Sequence, residues 1–214
     1  MVKLWTDMSV QERNGKKAAK HQQFLDAATR IFSERGFQET KVLDIVNEVK
    51  SGQGTFYYHF KDKQDIFDQL MIRFIDCLTA VIQDNEARAG GKLALASREM
   101  SIRNARALAA AFMHDRNLAM LFFRESRYVS GAGMERIEMF YSLLYWQIEE
   151  GIRMGVGNGM LRRDLDPFVT ARSMVGAVER VIYESLRTGR TEDLDTLAVY
   201  IVDFQLKGIL AIRE

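Results

Sequence analysis

The chain is poor in the residues that staple or interrupt a fold. Of 214 residues, one is a cysteine (Cys77) and one a proline (Pro167). A lone cysteine excludes an internal disulfide and leaves no cysteine framework for a metal. Scarce proline leaves long stretches free to run as helix. No apolar run reaches the length of a membrane span, and the N-terminus lacks the apolar core of a signal peptide, so a cytoplasmic protein is expected. Charge of one sign is also lacking. Thirty Lys and Arg face 29 Asp and Glu, a net +1, which excludes a global polycation. Histidine is rare, and beyond residue 63 only His114 remains. His114 and Asp115 are adjacent and do not share a helix face, no nucleophile sits in a recognisable motif, and no glycine-rich phosphate loop follows a strand. Neither an enzyme nor a cofactor or metal site is expected.

Apolar residues at helical spacing are abundant. They make up 47% of the chain and recur with the 3.6-residue period, which predicts an all-α protein of one large or two small domains. The small net charge is unevenly spread. Residues 1–63 hold 11 basic against 8 acidic side chains, and the remainder 19 against 21, so a basic head precedes a slightly acidic body. Such a split fits nucleic-acid contact at one end.

The most informative stretch runs from Gly36 to Phe67. Lys17 to Arg35 reads as a helix with Phe24, Ala27, Ala28, Ile31 and Phe32 along one face, closed by Gly36. Val42 to Val49 repeats apolar residues at three and four positions, with Thr40 placed as a capping hydroxyl. Lys50-Ser51-Gly52 interrupts, and Gln53 to His59 forms a second short helix. There Phe56 and Phe60 share the inner side, Gly54, Thr55 and Tyr58 point away, and Tyr57 and His59 flank them. A short helix held by phenylalanines and presenting Gln, Thr, Tyr and His suits the major groove, since Gln pairs bidentately with adenine and Thr bonds an edge or touches a thymine methyl. Gly54 leaves room for close backbone approach. Asp62 is placed to cap the following helix, and Lys61 and Lys63 beside that N-terminus suit a phosphate.

Thr40, Ile45, Gly54-Thr55-Phe56-Tyr57, Phe60, Lys63 and Ile66-Phe67 resemble the DNA-binding head of TetR-type repressors over residues 18–70. Two positions depart from that pattern. The family usually has glycine in the turn where Lys50 stands, and a serine cap where Gly52 stands. A side chain at positive φ would cost about 1 kcal/mol. The resemblance implies a small three-helix DNA-binding head with a helix-turn-helix, followed by a larger helical bundle for ligand binding and dimerisation. The expected divisions are 1–17 as a flexible arm, 18–63 as the head and 64–214 as the body. The arm reads either as a frayed tail or as a basic strand reaching DNA through Lys16 and Lys17. The DNA-binding candidates are Thr40, Lys41, Gln53, Gly54, Thr55, Tyr57, Tyr58, His59, Lys61 and Lys63.

The body is less explicit. Asp62 to Gln83 predicts a helix shared by head and body, and Asp84 to Lys92 a loop. Helices are expected over 92–116, 117–128 and 134–154. Asp166-Pro167 opens a helix to about Arg187, and Thr191-Glu192-Asp193 opens the last. The final two helices are rich in apolar residues, including Met174, Val178, Ile182, Leu197 and Ile201. They fit either an internal hairpin or half of a four-helix dimer interface, and the family resemblance implies the homodimer. Phe112, Phe122, Tyr141, Tyr145, Trp146, Glu179 and Tyr183 are candidates for an effector pocket, although aromatic stripes at this spacing equally make ordinary core. The resemblance implies a transcriptional repressor on a pseudo-palindromic operator in double-stranded DNA, released when a small-molecule effector tilts the 62–83 helix and changes the separation of the two heads. The alternative is a nucleoid-associated or protein-partner-binding DNA-binding protein of the same fold without a small ligand.

Overall fold

The computed structural model describes residues 2–88, 97–190 and 194–210. Among them the chain forms nine α-helices and no strand: α1 (Val2–Arg35), α2 (Val42–Glu48), α3 (Gln53–His59), α4 (Lys63–Arg88), α5 (Arg98–His114), α6 (Arg116–Glu125), α7 (Gly131–Gly157), α8 (Pro167–Thr188) and α9 (Leu194–Ile209). A 3-10 turn, Ser126–Tyr128, links α6 to α7. No described helix is long and apolar enough to cross a membrane, and no described cluster of three His, Cys, Asp or Glu could hold a metal.

Local signals place the helix ends. Gly36 leaves α1 at φ 85, and its N–H bonds the Phe32 carbonyl at 2.8 Å. The Asp62 carboxylate accepts from the Asp65 N–H, and Asp65 in turn accepts from the Lys61 N–H, so the expected cap of α4 forms with both partners engaged. Ser97, Asp115 and Asp166 cap α5, α6 and α8, the last with Pro167 in the first turn.

Several expectations need correction. The N-terminal segment predicted as a flexible arm continues α1, which runs 34 residues from Val2. Helix α4 does not stop at Gln83 but reaches Arg88, so part of the predicted 84–92 loop is helical and the rest lies outside the described residues, as do Thr191, Glu192 and Asp193. Thr40 is not the cap of α2. Its Oγ1 donates to the Gly36 carbonyl at 2.8 Å and the side chain is buried. The cap position is Lys41, whose N–H is accepted by Asp44.

The head packs on phenylalanine. Phe24, Phe32, Phe56, Phe60 and Phe67 are all but inaccessible to solvent, with Phe24 edge-on to Phe56 at 5.6 Å and Phe37 against Phe67 at 4.5 Å. Burying each ring contributes about 2–3 kcal/mol. This core does not end with the head. It continues along α4 through Leu70, Phe74 and Leu78 to Phe112 and Phe122 in the body. A second cluster, including Ile148, Ile152, Val202 and Leu206, holds the far end together.

The turn between α2 and α3 is a Schellman closure. The Lys50 N–H bonds the Asn47 carbonyl and the Ser51 N–H bonds the Val46 carbonyl, which requires Lys50 to adopt φ 50. Lys50 is the one non-glycine at positive φ among the described residues. Lys50→Gly is therefore expected to raise stability by about 1 kcal/mol, read from the urea midpoint. An unchanged or lowered midpoint would show that the turn is unstrained.

Candidate nucleic-acid interface

Helix α3 has seven residues and one buried side chain, Phe56, with Phe60 buried immediately after it. Their burial turns the opposite side outward. Gln53, Gly54, Tyr57 and Tyr58 are exposed, and Thr55 and His59 are half-buried. Tyr57 is 56% and Tyr58 66% exposed, more than packing within the chain would leave for rings of that size. Nothing lies within 4 Å of the place a Gly54 Cβ would occupy, so the fold itself makes no steric demand for glycine there.

The flanking cations divide into two kinds. Lys41 and Lys61 are exposed beside α2 and α4, as a phosphate contact requires. Lys63 is turned inward. Its ammonium donates to the Phe37 and Gln38 carbonyls at 2.8 and 3.1 Å and lies 4.4 Å above the Phe37 ring. Burial lowers its pKa, with Glu39 opposing. The expectation that Lys63 holds a phosphate is corrected: it ties α4 to the turn after α1. Thr40, buried, is also removed from the candidates for direct contact.

The structure adds residues to this face. The Lys17 ammonium stands 4.7 Å over the Tyr58 ring, and the His21 ring lies 5.6 Å from His59 and stacks on Phe60 at 4.6 Å. Residues 17, 20, 21 and 24 share one helical face, and the spacing from Phe24 could have placed Lys17, Lys20 and His21 beside the reading helix. Lys50, exposed in the turn, belongs with them.

The body contains an apolar cavity in two lobes of about 160 and 120 Å³ among α4, α5, α7, α8 and α9. Of the predicted pocket residues, Phe112 and Glu179 line the inner lobe. Tyr141 donates to Glu179 at 2.5 Å, and burial pushes both the phenol and the carboxyl upward in pKa. Phe122 is core, 5.4 Å from Phe74. Tyr145 stacks on Tyr141 and sits under Arg172, Tyr183 faces an outer cleft, and Trp146 is exposed, so these three are not in the cavity. Polar lining of the other lobe comes from Asn85, Ser101, Asn104, Gln147 and Gln205. Gln205 donates to the Met174 carbonyl at 2.8 Å, whereas Asn104 Oδ1 is buried with no hydrogen-bond partner among the described residues. Gln205 interrupts the stripe Ile201, Val202, Leu206, Ile209, a signal the sequence already carried.

Of the five residues expected at a dimer interface, four line the cavity or the core. Met174, Val178 and Ile201 line the cavity, Ile182 is buried in the first core and Leu197 is half-buried. Periodicity marks an apolar stripe without saying which neighbour covers it. Large apolar side chains left exposed on the last two helices are Tyr200 (70%) and Phe204 (76%) on α9, with Phe168, under the Arg172 guanidinium, and Val169 on α8.

A family model described as bacterial regulatory proteins, tetR family, matches residues 24–70, the segment that builds the head. The chain is 27% identical to the Fatty acid metabolism regulator protein of Bacillus subtilis (strain 168), covering 90% of this chain and 97% of that protein. The structure of ketosteroid transcriptional regulator KstR2 of Mycobacterium tuberculosis superposes with a TM-score of 0.72 at 22% identity, over 90% of this chain and 95% of that one. That of transcriptional regulator FadR from Bacillus subtilis in complex with stearoyl-CoA gives 0.67 at 21% identity, over 88% and 98%.

Burial, then the charges of His21, Lys17 and Lys20, hold His59 below the ordinary imidazole pKa of 6.5. A neighbouring phosphate would raise it, so the protonated form binds DNA better. Affinity should then climb as pH falls below about 6.5 and flatten above, and His59→Gln should remove most of the climb. Identical pH profiles for the two proteins, measured by fluorescence anisotropy, would exclude His59 from the interface.

Proposed function

Because the chain belongs to the TetR family of bacterial regulatory proteins and is a DNA-binding transcriptional regulator, we propose that it acts as a homodimeric repressor released from its operator by a small apolar effector. The observation that carries the DNA half is the outward face of α3, where Gln53, Thr55, Tyr57 and Tyr58 make no side-chain hydrogen bond among the described residues and Gly54 meets nothing there. In this reading Gln53 and Thr55 reach base edges, Tyr57, Tyr58 and His59 flank them, and Lys41, Lys50 and Lys61 hold phosphates. Lys17 and Lys20 extend the basic edge along α1.

Two copies would meet through Tyr200 and Phe204 on α9 and Phe168 and Val169 on α8, burying apolar surface that is otherwise exposed. The effector would occupy the two-lobed cavity, whose amide end would fix orientation while its apolar walls give affinity. The relative solved with stearoyl-CoA supports a ligand with a long apolar part. Release requires only that the effector bind the head-displaced arrangement more tightly than the DNA-bound one.

Footprinting of the full-length protein on DNA upstream of its own and neighbouring genes, at physiological salt with random competitor, tests this reading. One protected pseudo-palindrome is expected. Many dispersed sites unaffected by any apolar ligand would instead favour a nucleoid-associated role.

Gly54→Ala separates function from fold. Alanine gains about 0.5–1 kcal/mol of helix stability and meets no atom in the chain. A higher melting temperature together with weaker operator binding is the expected pair of results. Unweakened binding would show that the α3 backbone does not approach DNA at that point.

A further inference from the structure

A cleft of about 590 Å³ lies between α8 and the end of α6 with its 3-10 turn. Arg124, Arg127 and Arg180 stand around it, and Gly176 leaves part of its wall bare. The acids nearby offset this charge only in part, Glu184 by pairing with Arg180 at 2.6 Å and Glu125 by attracting Arg127. Glu125 is buried, Glu179 is engaged by Tyr141 in a buried setting that favours its neutral form, and Glu184 is shared between Arg180 and Arg187. Arg127 lies 4.9 Å from the Tyr128 ring and Arg124 donates to a backbone carbonyl, and neither closes an ion pair among the described residues. Two guanidinium forks without a carboxylate partner among the described residues, beside a third that shares Glu184 with Arg187, match the geometry and charge of phosphate oxygens.

The position of the cleft gives it a lever on the head. Arg124 Nη1 donates at 3.3 Å to the carbonyl of Ser33, in the last turn of α1. The same segment forms the joint between body and head. Tyr128 stacks on Phe37 at 5.7 Å, its carbonyl accepts from Gln64 at 2.8 Å, and Glu125 Oε1 comes within 3.3 Å of where a Cβ on Gly36 would sit. A ligand that recruits Arg124 therefore competes directly with a bond that holds α1.

We propose that this cleft binds a phosphate-bearing anion, and that occupancy acts on the DNA-binding head by drawing Arg124 away from the Ser33 carbonyl. The regulatory half of the proposal rests on the reading of the chain as a DNA-binding regulator; the binding half does not. The phosphate has two sources. It is either a free phosphorylated solute or the head of an amphiphile whose apolar part enters the cavity beside Glu179, which lines both the cleft and the inner lobe.

The test uses the full-length protein without DNA, so that its failure is distinct from failure of operator binding. Calorimetry at physiological salt compares pyrophosphate, coenzyme A, palmitoyl-CoA below its micellar concentration, and palmitate. Binding of pyrophosphate and coenzyme A as tight as that of palmitoyl-CoA identifies a free phosphoanion as the source, whereas much tighter palmitoyl-CoA identifies the amphiphile. In either case the double variant R127Q/R180Q, exposed and folded as judged by its melt, should weaken the phosphate-bearing probe by about tenfold or more and leave palmitate unchanged. No binding of any phosphate-bearing probe, or equal binding by the variant, overturns the site. For transmission, saturating probe should speed hydrogen exchange of the amides at residues 33–37. R124Q should show that faster exchange without probe and gain nothing from it. Exchange that saturating probe leaves unaltered overturns the lever through Arg124.

Discussion

A helix of seven residues has no independent stability in water, so the reading face on α3 exists only while Phe56 and Phe60 stay buried against Phe24 and His21. The rest of the head serves that burial. Helix α1 supplies the wall, α2 and the Schellman turn set the angle of approach, and Lys63 ties the start of α4 to the carbonyls that follow α1. The residues left facing out are those the core did not need. Position and exposure of the candidate DNA contacts therefore follow from phenylalanine packing before any partner is considered.

The same logic separates the body into a part that holds the head and a part that leaves room. Along α4 the packing is continuous, and the 3-10 turn after α6 presses on Phe37 from the other side. Farther out, α5, α7, α8 and α9 enclose two small lobes rather than a filled core. Amides in an apolar wall cost free energy unless something pairs with them, and Asn104 Oδ1 has no hydrogen-bond partner among the described residues. Glu179 stands where this interior meets the arginine-lined cleft, so the interior and the joint are separated by about one side chain.

Features governed by neighbours in sequence were legible before the fold was seen. Gly36 closing α1, Asp62 capping α4 and Asp166-Pro167 opening α8 each need only a few adjacent residues, and each stands where spacing placed it. Features decided by distant neighbours were not. Thr40 has the chemistry of a cap, but its hydroxyl reaches back to Gly36; Lys63 has the charge for phosphate, but its ammonium reaches the end of the first turn. Met174, Val178 and Ile201 form a genuine stripe, yet the stripe faces inward, because a period of 3.6 defines a face and not its orientation. Residue type alone puts Trp146 with Phe122, and the fold sends one to solvent and the other to the core.

The unbroken aromatic core across the head–body boundary also limits how such a protein can be recombined. A cut before α4 would leave Phe32 and Phe37 on one piece and their partners Phe67 and Tyr128 on the other. A head transplanted at that point would arrive with an open cavity where those rings had been. A viable exchange must carry the first turns of α4 and the 126–130 segment with it, or find a recipient that supplies equivalent rings. Operator preference and the joint that controls it would thus be inherited together, and drift in either is constrained by the other.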